Sequence, residues 1–361
     1  MIRIFMIGIS TNKGGVEAYI TNLCSQLRED EFEIVHCWPE IVLDGKVWKC
    51  PPNRHNYLAY RSFWRRFYKE NRFDAVYLNT CDIVSIDQLK FAKEAGVPVR
   101  IIHSHSAGNQ QALAGRMHFF HRFAEKRNRK TLDQYATDLF ACSEAAGDWM
   151  FDGRPYTVIQ NGIELGKYRF SPENRKKCRA QLPAADGVLI GCIGRLSPEK
   201  NPRFNLQIIE EALRLDPSVR LVMLGDGELR EEVQMAIAEK GLDEKVYLLG
   251  AVDNVYQWLS AIDCLVMPSI FEGLPFVLVE AQATGIPCVV SSAVSPEADL
   301  TGLIHYISLE ESPAVWAETI LNSVTAVRPD TTAQLTEAGF SVENTAQRVS
   351  WIIQESQKRN I

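Results

Sequence analysis

Two carboxylates stand eight residues apart in the second half of the chain and offer the first chemistry to consider. Glu272 follows the apolar run 264–267, and Glu280 lies in an apolar segment that ends before Gly285 and Pro287. These residue types predict a strand, a loop, a helix and a second strand. Glu272 is then placed just before the helix, and Glu280 is placed inside it.

The spacing of Glu272 and Glu280 argues against a glycosidase pair. Eight helical residues rise about 12 Å, whereas the two carboxyl groups of a glycosidase stand about 5–9.5 Å apart. The free amides of the helix N-terminus between them favour an anion such as phosphate. We interpret the glutamates as contacts to different parts of one ligand with an anionic middle and hydroxyl-bearing ends. The alternative is two ordinary glutamates near a helix terminus.

Two cations flank a short loop that follows another predicted strand, residues 188–194. Arg195 and Lys200 enclose the sequence Leu-Ser-Pro-Glu. Arginine binds phosphate oxygens bidentately and lysine binds them as a point charge. A loop at the carboxyl end of a strand with these two side chains suits a diphosphate, and two solvated surface cations are the alternative.

Two histidines end a predicted strand of the first half. His103 and His105 are separated by one residue, so strand alternation places both imidazoles on one face. A metal site would need further ligands at suitable spacing, and none is evident. We expect a hydrogen-bonding or polarising role at the end of the strand, with structural histidines as the alternative.

Two runs mix aromatic and basic residues, at 61–69 and 116–130. On helices they give apolar faces edged by cations, which suit an anionic lipid surface. A buried aromatic stripe with a solvated basic face is the equal alternative for each run. Single-stranded nucleic acid would use the same residue types, but the net charge of −6 does not favour a nucleic-acid binder.

The elements that carry these residues alternate between strand and helix in both halves, which predicts parallel sheets in two α/β domains. We predict one domain over residues 1–165, joined by a last helix at about 345–361, and a second domain over 166–344. The polar stretch 163–186 is predicted to be the connection between them. Helices are predicted at 202–215, with Asn201 as N-cap, and at 255–261.

Composition is that of a globular protein, with 46% hydrophobic and 23% charged residues among 361. The nine cysteines form no Cys-x-x-Cys pair, which favours a reducing cytosol over a disulfide framework or a zinc site. No apolar run approaches the ~18 residues of a membrane span. We therefore expect a cytoplasmic protein without a zinc site, and we predict that it uses no cofactor.

Several motifs in order resemble those of the retaining GT-B glycosyltransferases of family 4, which build bacterial capsules and exopolysaccharides. The matching stretches are residues 13–17, 98–105, 158–163, 194–201, 224–227 and 272–280. The resemblance implies two Rossmann-like domains facing a central cleft, with a C-terminal helix that crosses back to the first domain.

The resemblance also implies roles for the charged residues of the second domain. Arg195 and Lys200 would hold the donor diphosphate and stabilise the charge of the leaving group. Glu280 would bind the ribose hydroxyls. Glu272 would contact the donor sugar and phosphates, together with the amides of Gly273 and Leu274.

Three further roles follow from the same resemblance. Gly14 and Gly15 would let the backbone approach the diphosphate, and the backbone from Gly250 to Val252 would read the base. One histidine would stand over the reacting sugar, with His105 preferred to His103.

The implied activity is that of a metal-independent, retaining hexosyltransferase. It would move a sugar from a nucleotide diphosphate, with UDP as the expected nucleotide, to a lipid-linked or growing polysaccharide acceptor at the inner face of the plasma membrane. Two alternatives stay open at this point: a catalytically silent subunit that binds nucleotide sugars, and a UDP-sugar epimerase on the same fold.

Overall fold

The structure, a computed structural model, describes residues 1–9, 14–37, 40–49, 56–108, 119–184, 186–272 and 274–360. The chain forms two compact units. Unit 1 comprises Met1–Ile163 and Ser341–Ile361, and unit 2 comprises Glu164–Phe340.

Unit 1 is built on a parallel sheet with the strand order β2-β1-β5-β6-β7-β8. Its central strands are buried on both faces, as expected for parallel strands covered by helices. A separate antiparallel hairpin, β3-β4, follows β2. The strands are β1 (Ile2–Ile7), β2 (Phe32–His36), β3 (Glu40–Leu43), β4 (Lys46–Lys49), β5 (Ala75–Thr80), β6 (Val99–Ser104), β7 (Asp138–Ala141) and β8 (Thr157–Val158).

The helices of unit 1 join consecutive parallel strands or cover the sheet. They are α1 (Gly15–Gln26), α2 (Tyr57–Glu70), α3 (Asp87–Glu94), α4 (Phe119–Thr131) and α5 (Glu144–Phe151), with the later helix α14 (Val342–Asn360). Helix α2 places Trp64, Phe67 and Tyr68 in the core around Phe5. The aromatic residues of the first basic–aromatic run therefore form a core stripe, and its interpretation as a lipid-binding face is wrong.

The C-terminal helix α14 belongs to unit 1, as predicted. Polar side chains near its end bond to carboxylates in the first part of the chain: Gln354 to Glu31 at 3.0 Å, Ser356 to Asp138, and Gln357 to Asp74. Where the chain leaves unit 1, the backbone amide of Val342 donates to the carbonyl of Ile163 at 3.1 Å. These bonds complete unit 1 from two segments that are distant in sequence.

Unit 2 is built on a second parallel sheet with the order β11-β10-β9-β12-β13-β14. The chain steps outward in one direction from β9 to β11 and in the other from β12 to β14, so the order reverses between β9 and β12. The strands are β9 (Leu189–Ile193), β10 (Arg220–Leu224), β11 (Val246–Gly250), β12 (Cys264–Met267), β13 (Cys288–Ser291) and β14 (Ile304–Ile307).

The helices of unit 2 confirm two predicted spans, and two of them lie in the stretch predicted to be the connection between the domains. Their bounds are α6 (Leu165–Tyr168), α7 (Pro172–Arg179), α8 (Pro202–Leu215), α9 (Arg230–Glu239), α10 (Val255–Ala261), α11 (Phe276–Ala283), α12 (Pro313–Ser323) and α13 (Thr332–Glu337). Helices α8 and α10 have the predicted ends. Asn201 is the N-cap residue of α8, but its side chain makes no capping bond.

The stretch 163–186, predicted to be the connection between the domains, is part of unit 2 from Glu164 onward. It holds α6 and α7, with Leu165 and Cys178 buried in unit 2. Ser171 caps α7 by accepting from the amide of Asn174 at 3.1 Å. The charged residues of α7 obscured its single buried position.

Helix α7 is held by a buried ion network around Asp263. The carboxylate pairs with Arg175 at 2.7 Å and with Arg179, and it accepts from the amide of Leu189 at 2.8 Å. Arg328 lies 3.9 Å away and is itself buried. The single carboxylate of Asp263 thus balances the positive charge of several arginines. It also links α7 to the start of β9.

We predict that Asp263→Asn lowers the free energy of unfolding by about 3–5 kcal/mol, because it leaves buried guanidinium groups without their counter-charge. Thermal denaturation measures the loss. Asp330→Asn is the matched control, since Asp330 and its partner Arg169 are both exposed, and its melting temperature should stay near that of wild type. Equal melting temperatures for both variants would show that the Asp263 network does not stabilise the protein.

Candidate active site

The candidate residues of unit 2 lie on the loops that follow β9 and β12. In a doubly wound sheet, the crevice where the strand order reverses is the usual ligand site, at the carboxyl ends of the strands. Arg195 and Lys200 follow β9, and Glu272 follows β12. The strand order therefore brings together two loops that are about seventy residues apart in the sequence.

Close backbone contacts hold these loops in place. The amide of Ile270 donates to the carbonyl of Glu199 at 2.8 Å, which joins the loop after β12 to the loop after β9. Gly225 has φ +133°, and a Cβ at this position would lie 1.9 Å from the carbonyl oxygen of Gly194. Only glycine fits there. The amide of Gly225 also donates to the carbonyl of Gly250 at 2.8 Å.

Lys200 and Glu272 form an ion pair in a sheltered position, with 21% and 14% of their side chains exposed. Arg195 differs, since 66% of its side chain is exposed and its guanidinium stands 3.8 Å from Glu199. The loop thus offers one cation that is held by a carboxylate and one that extends into solvent. Both are suited to anionic oxygens.

The helix that carries Glu280, α11, starts directly after the loop. Pro275 precedes its first residue, and no side chain of the described residues caps its N-terminus. Leu274 is half-buried against the apolar core of unit 2. Gly273 lies outside the described residues.

Glu280 has a partner that the sequence did not reveal. The hydroxyl of Tyr168 donates to Oε1 of Glu280 at 2.7 Å. Burial raises the pKa of Glu280, while the Tyr168 hydroxyl and the charge of Lys167 act in the opposite direction. Tyr168 was missed because it lies in the stretch interpreted as a connection, 112 residues before its partner.

In unit 1 the two histidine rings lie side by side at the end of β6, with centroids 4.0 Å apart. His103 is fully buried, and its Nδ1 lies 3.0 Å from the hydroxyl of Tyr77. The Tyr77 hydroxyl in turn lies 2.8 Å from that of Tyr19. Since His105 is partly exposed, it is the more accessible of the two rings.

Asn79 determines which nitrogen of His105 carries the proton. Its Nδ2 donates to the carbonyl of Ile7 at 3.0 Å, so its Oδ1 faces His105 Nε2, also at 3.0 Å. Because Oδ1 only accepts, Nε2 is the protonated nitrogen. Burial lowers the pKa of His105 to about 3, against a smaller opposing effect of Asn161. The ring is therefore neutral near pH 7, and its unprotonated Nδ1 is buried without a hydrogen-bond partner among the described residues.

The glycines predicted to approach the ligand occupy turns at the ends of elements. Gly14 precedes α1 as its N-cap residue and Gly15 is the first residue of the helix. Gly250 ends β11 with φ +72°. Lys13 of the same motif lies outside the described residues.

Comparison with known proteins shows the family to which the chain belongs. Residues 13–167 match the model for Glycosyltransferase Family 4, and residues 187–325 match the model for Glycosyl transferases group 1. EpsF of Bacillus subtilis is 31% identical over 348 residues, covering 91% of this chain and 89% of that protein. The chain belongs to glycosyltransferase family 4.

One further relative and one solved structure resemble this family 4 glycosyltransferase. The UDP-Gal:alpha-D-GlcNAc-diphosphoundecaprenol alpha-1,3-galactosyltransferase of Escherichia coli is 26% identical, covering 62% of this chain and 59% of that protein. The crystal structure of Anabaena HepE in complex with UDP and glucose superposes with a TM-score of 0.76 at 19% identity, over 98% of this chain and all of that one. The predicted GT-B fold class is confirmed.

The second basic–aromatic run of the glycosyltransferase differs from the first. On α4, Phe119, Phe120 and Phe123 are 77%, 80% and 62% exposed. Arg122 and Lys126 are also exposed on this helix. Arg116 and His118 of the run lie outside the described residues. The described helices include none that is both long and apolar enough to span a bilayer.

Two histidines that are neutral in the folded state, His103 and His105, predict an acid-sensitive glycosyltransferase. Their pKa values in the folded protein lie below the ordinary ~6.5, so the unfolded chain binds more protons as the pH falls. The stabilisation is complete above pH ~6.5 and is lost below it. We expect His105 alone to account for about 1–2 kcal/mol of the stability lost between pH 7 and 5.

Urea denaturation at pH 7, 6 and 5 measures this contribution. His105→Asn should lose less stability than wild type over that range. The control is His305→Asn, which removes an exposed histidine and should follow wild type. A pH dependence unchanged in His105→Asn would contradict the neutral state of this ring.

Proposed function

We propose that this glycosyltransferase transfers a hexosyl group from a UDP-sugar, with retention at the anomeric carbon, to a lipid-linked or growing polysaccharide acceptor in capsule or exopolysaccharide synthesis. The observation that carries the proposal is the sheltered Lys200–Glu272 pair at the reversal point of the unit 2 sheet. Glu280 on the following helix supplies the second carboxylate.

The donor's diphosphate is the anion that the cations of unit 2 suit best. Lys200 would bind it as a point charge and the exposed Arg195 would fold over it bidentately. The amides of Gly273 and Leu274, next to the N-terminus of α11, would add uncharged donors. Glu272 would then exchange part of its contact with Lys200 for hydroxyls of the sugar.

The nucleoside would be bound by two further parts of unit 2, one for the ribose and one for the base. Glu280 would accept hydrogen bonds from the ribose hydroxyls, and the backbone from Gly250 to Val252 would bind the base. UDP is favoured because HepE, which shares the fold, is described in complex with UDP. In unit 1, Gly14 and Gly15 would leave room for the backbone to approach the diphosphate.

Transfer would proceed by front-side attack. The bond from the sugar C1 to the β-phosphate oxygen breaks as the acceptor oxygen bonds to C1 on the same face. The acceptor's proton passes to the departing phosphate oxygen. Lys200 and Arg195 stabilise the charge that develops on UDP, so no metal ion is required.

His105 would act on the sugar as a hydrogen-bond acceptor. Its Nδ1 has a lone pair and its Nε2 proton is engaged by Asn79. A sugar hydroxyl that reaches this buried nitrogen, which has no hydrogen-bond partner among the described residues, would donate to it, and the ring has no proton to transfer at Nδ1. His103 is buried and hydrogen-bonded to Tyr77. It would hold the neighbouring His105 ring in place by packing against it.

The nature of the acceptor is inferred from one relative. The Escherichia coli enzyme is named for a diphosphoundecaprenol acceptor, which is a lipid-linked diphosphate. An enzyme that acts on such a molecule works at a membrane surface. The exposed phenylalanines and cations of α4 would provide an apolar, positively charged surface that suits an anionic membrane.

We predict that Lys200→Ala and Glu272→Ala each lower the slow, acceptor-free hydrolysis of UDP-sugars by about 100-fold or more, because a preorganised electrostatic contact is lost. A thermal-shift panel of nucleotide sugars selects the donor first, since binding to the native state raises stability. EDTA should leave the rate unchanged. Lys240→Ala, which breaks the surface pair Lys240–Glu210, is the matched control and should keep full activity.

Three results of these measurements would contradict the proposal. Tight UDP-sugar binding without turnover, with any acceptor, would identify a silent binding subunit. Loss of activity with EDTA that Mn²⁺ restores would identify a metal-dependent enzyme. If Glu280→Ala binds UDP as tightly as wild type, Glu280 does not bind the ribose.

A separate prediction concerns the membrane. Replacing Arg122, Lys126 and Arg127 by Glu should weaken binding to anionic liposomes by about 100-fold or more, because each cation near such a surface contributes about 1 kcal/mol. Sedimentation with phosphatidylglycerol vesicles measures binding. The control changes the exposed cations Arg66, Lys69 and Arg72 of unit 1 to Glu and should bind like wild type. Persistent binding in the α4 variant would place the lipid contact elsewhere.

A further inference from the structure

Tyr168 stands at a distinctive place in the chain. It ends the short helix α6, which begins one residue after the chain enters unit 2 at Glu164. Its hydroxyl donates to Oε1 of Glu280 at 2.7 Å. A segment at the start of unit 2 is thereby bonded to the carboxylate that we assign to the ribose.

The backbone next to this bond is also held. Thr284 Oγ1, just past the end of α11, lies 2.8 Å from the carbonyl oxygen of Tyr168 and 3.0 Å from that of Glu280. Arg169, the next residue, forms an ion pair with Asp330. Tyr168 is therefore fixed against α11 at both its backbone and its side chain.

The bond from Tyr168 uses one of the two carboxylate oxygens of Glu280 and leaves the other for a ligand. Among the residues that the structure describes, Tyr168 is the one hydrogen-bonded to the Glu280 side chain, and it uses Oε1. Oε2 is left for a ligand. Adjacent hydroxyls, as in a ribose diol, donate well to a carboxylate that is charged and held in one orientation.

We propose that Tyr168 is a positioning residue for the donor nucleotide, holding the carboxylate of Glu280 in the orientation that accepts the two ribose hydroxyls. This proposal rests on the ribose role of Glu280 in the proposed function. In this role Tyr168 acts through Glu280 and not on the reacting atoms. Its loss should therefore raise the KM for the UDP-sugar and leave kcat nearly unchanged.

The test uses Tyr168→Phe, which keeps the ring and removes the hydroxyl. By titration calorimetry, we expect the Kd for UDP to rise about tenfold, which corresponds to about 1.4 kcal/mol. The Kd for 2′,3′-dideoxy-UDP, which lacks the diol, should be equal in variant and wild type. Tyr256→Phe is the control, because Tyr256 is a second tyrosine near Lys167, 5.3 Å from its ammonium, and should bind UDP like wild type.

The pH dependence gives a second readout. Burial raises the pKa of Glu280 and the Tyr168 hydroxyl opposes that rise. Removing the hydroxyl raises the pKa further. Because the charged carboxylate binds the diol, UDP affinity should be constant at high pH and should start to fall at a higher pH in Tyr168→Phe than in wild type.

The outcomes separate this proposal from the one on which it rests. If Glu280→Ala leaves UDP affinity unchanged, the ribose role itself fails. If Glu280→Ala weakens UDP binding but Tyr168→Phe has the affinity and pH midpoint of wild type, Tyr168 has no positioning role. Equal weakening of UDP and the dideoxy probe in Tyr168→Phe would show a structural effect only and would also overturn the proposal.

Discussion

Parallel pairing of the strands is the constraint on which each unit depends. Because every strand of a parallel sheet runs the same way, all the carboxyl ends meet at one edge and the loops that follow them become neighbours. In unit 2 this brings Lys200 and Glu272 together. In unit 1 it places Asn79, at the end of β5, beside His105, just past the end of β6. The chemistry of each unit is thus a consequence of strand direction.

The sequence predicted the helices and strands better than it predicted which side chains bond to each other. Helix spans such as 202–215 follow from local periodicity, and the loop positions of Arg195, Lys200 and Glu272 follow from the strands before them. The bond between Tyr168 and Glu280 joins residues 112 positions apart, and no spacing rule links them. Asn79 shows the same limit, since its effect on His105 depends on the carbonyl of Ile7.

The two basic–aromatic runs show why composition alone was insufficient. Both mix phenylalanine with arginine and lysine, yet α2 buries Trp64 and Phe67 while α4 exposes Phe119 and Phe120. The difference lies in what each helix packs against. The aromatic face of α2 meets Phe5 of the central strand β1. Periodicity gives the face of a helix, but tertiary packing decides whether that face is covered.

The origin of unit 1 from two segments has a consequence for the order of events during synthesis. Domains commonly fold one after another as the chain leaves the ribosome, the N-terminal one first. Here unit 2 is continuous, whereas Asp74 and Asp138 of unit 1 gain their bonds to Gln357 and Ser356 only when α14 has been made. Unit 2 therefore has all its residues available while unit 1 still lacks its last helix. We therefore expect unit 1, whose translation begins first, to complete its folding after unit 2.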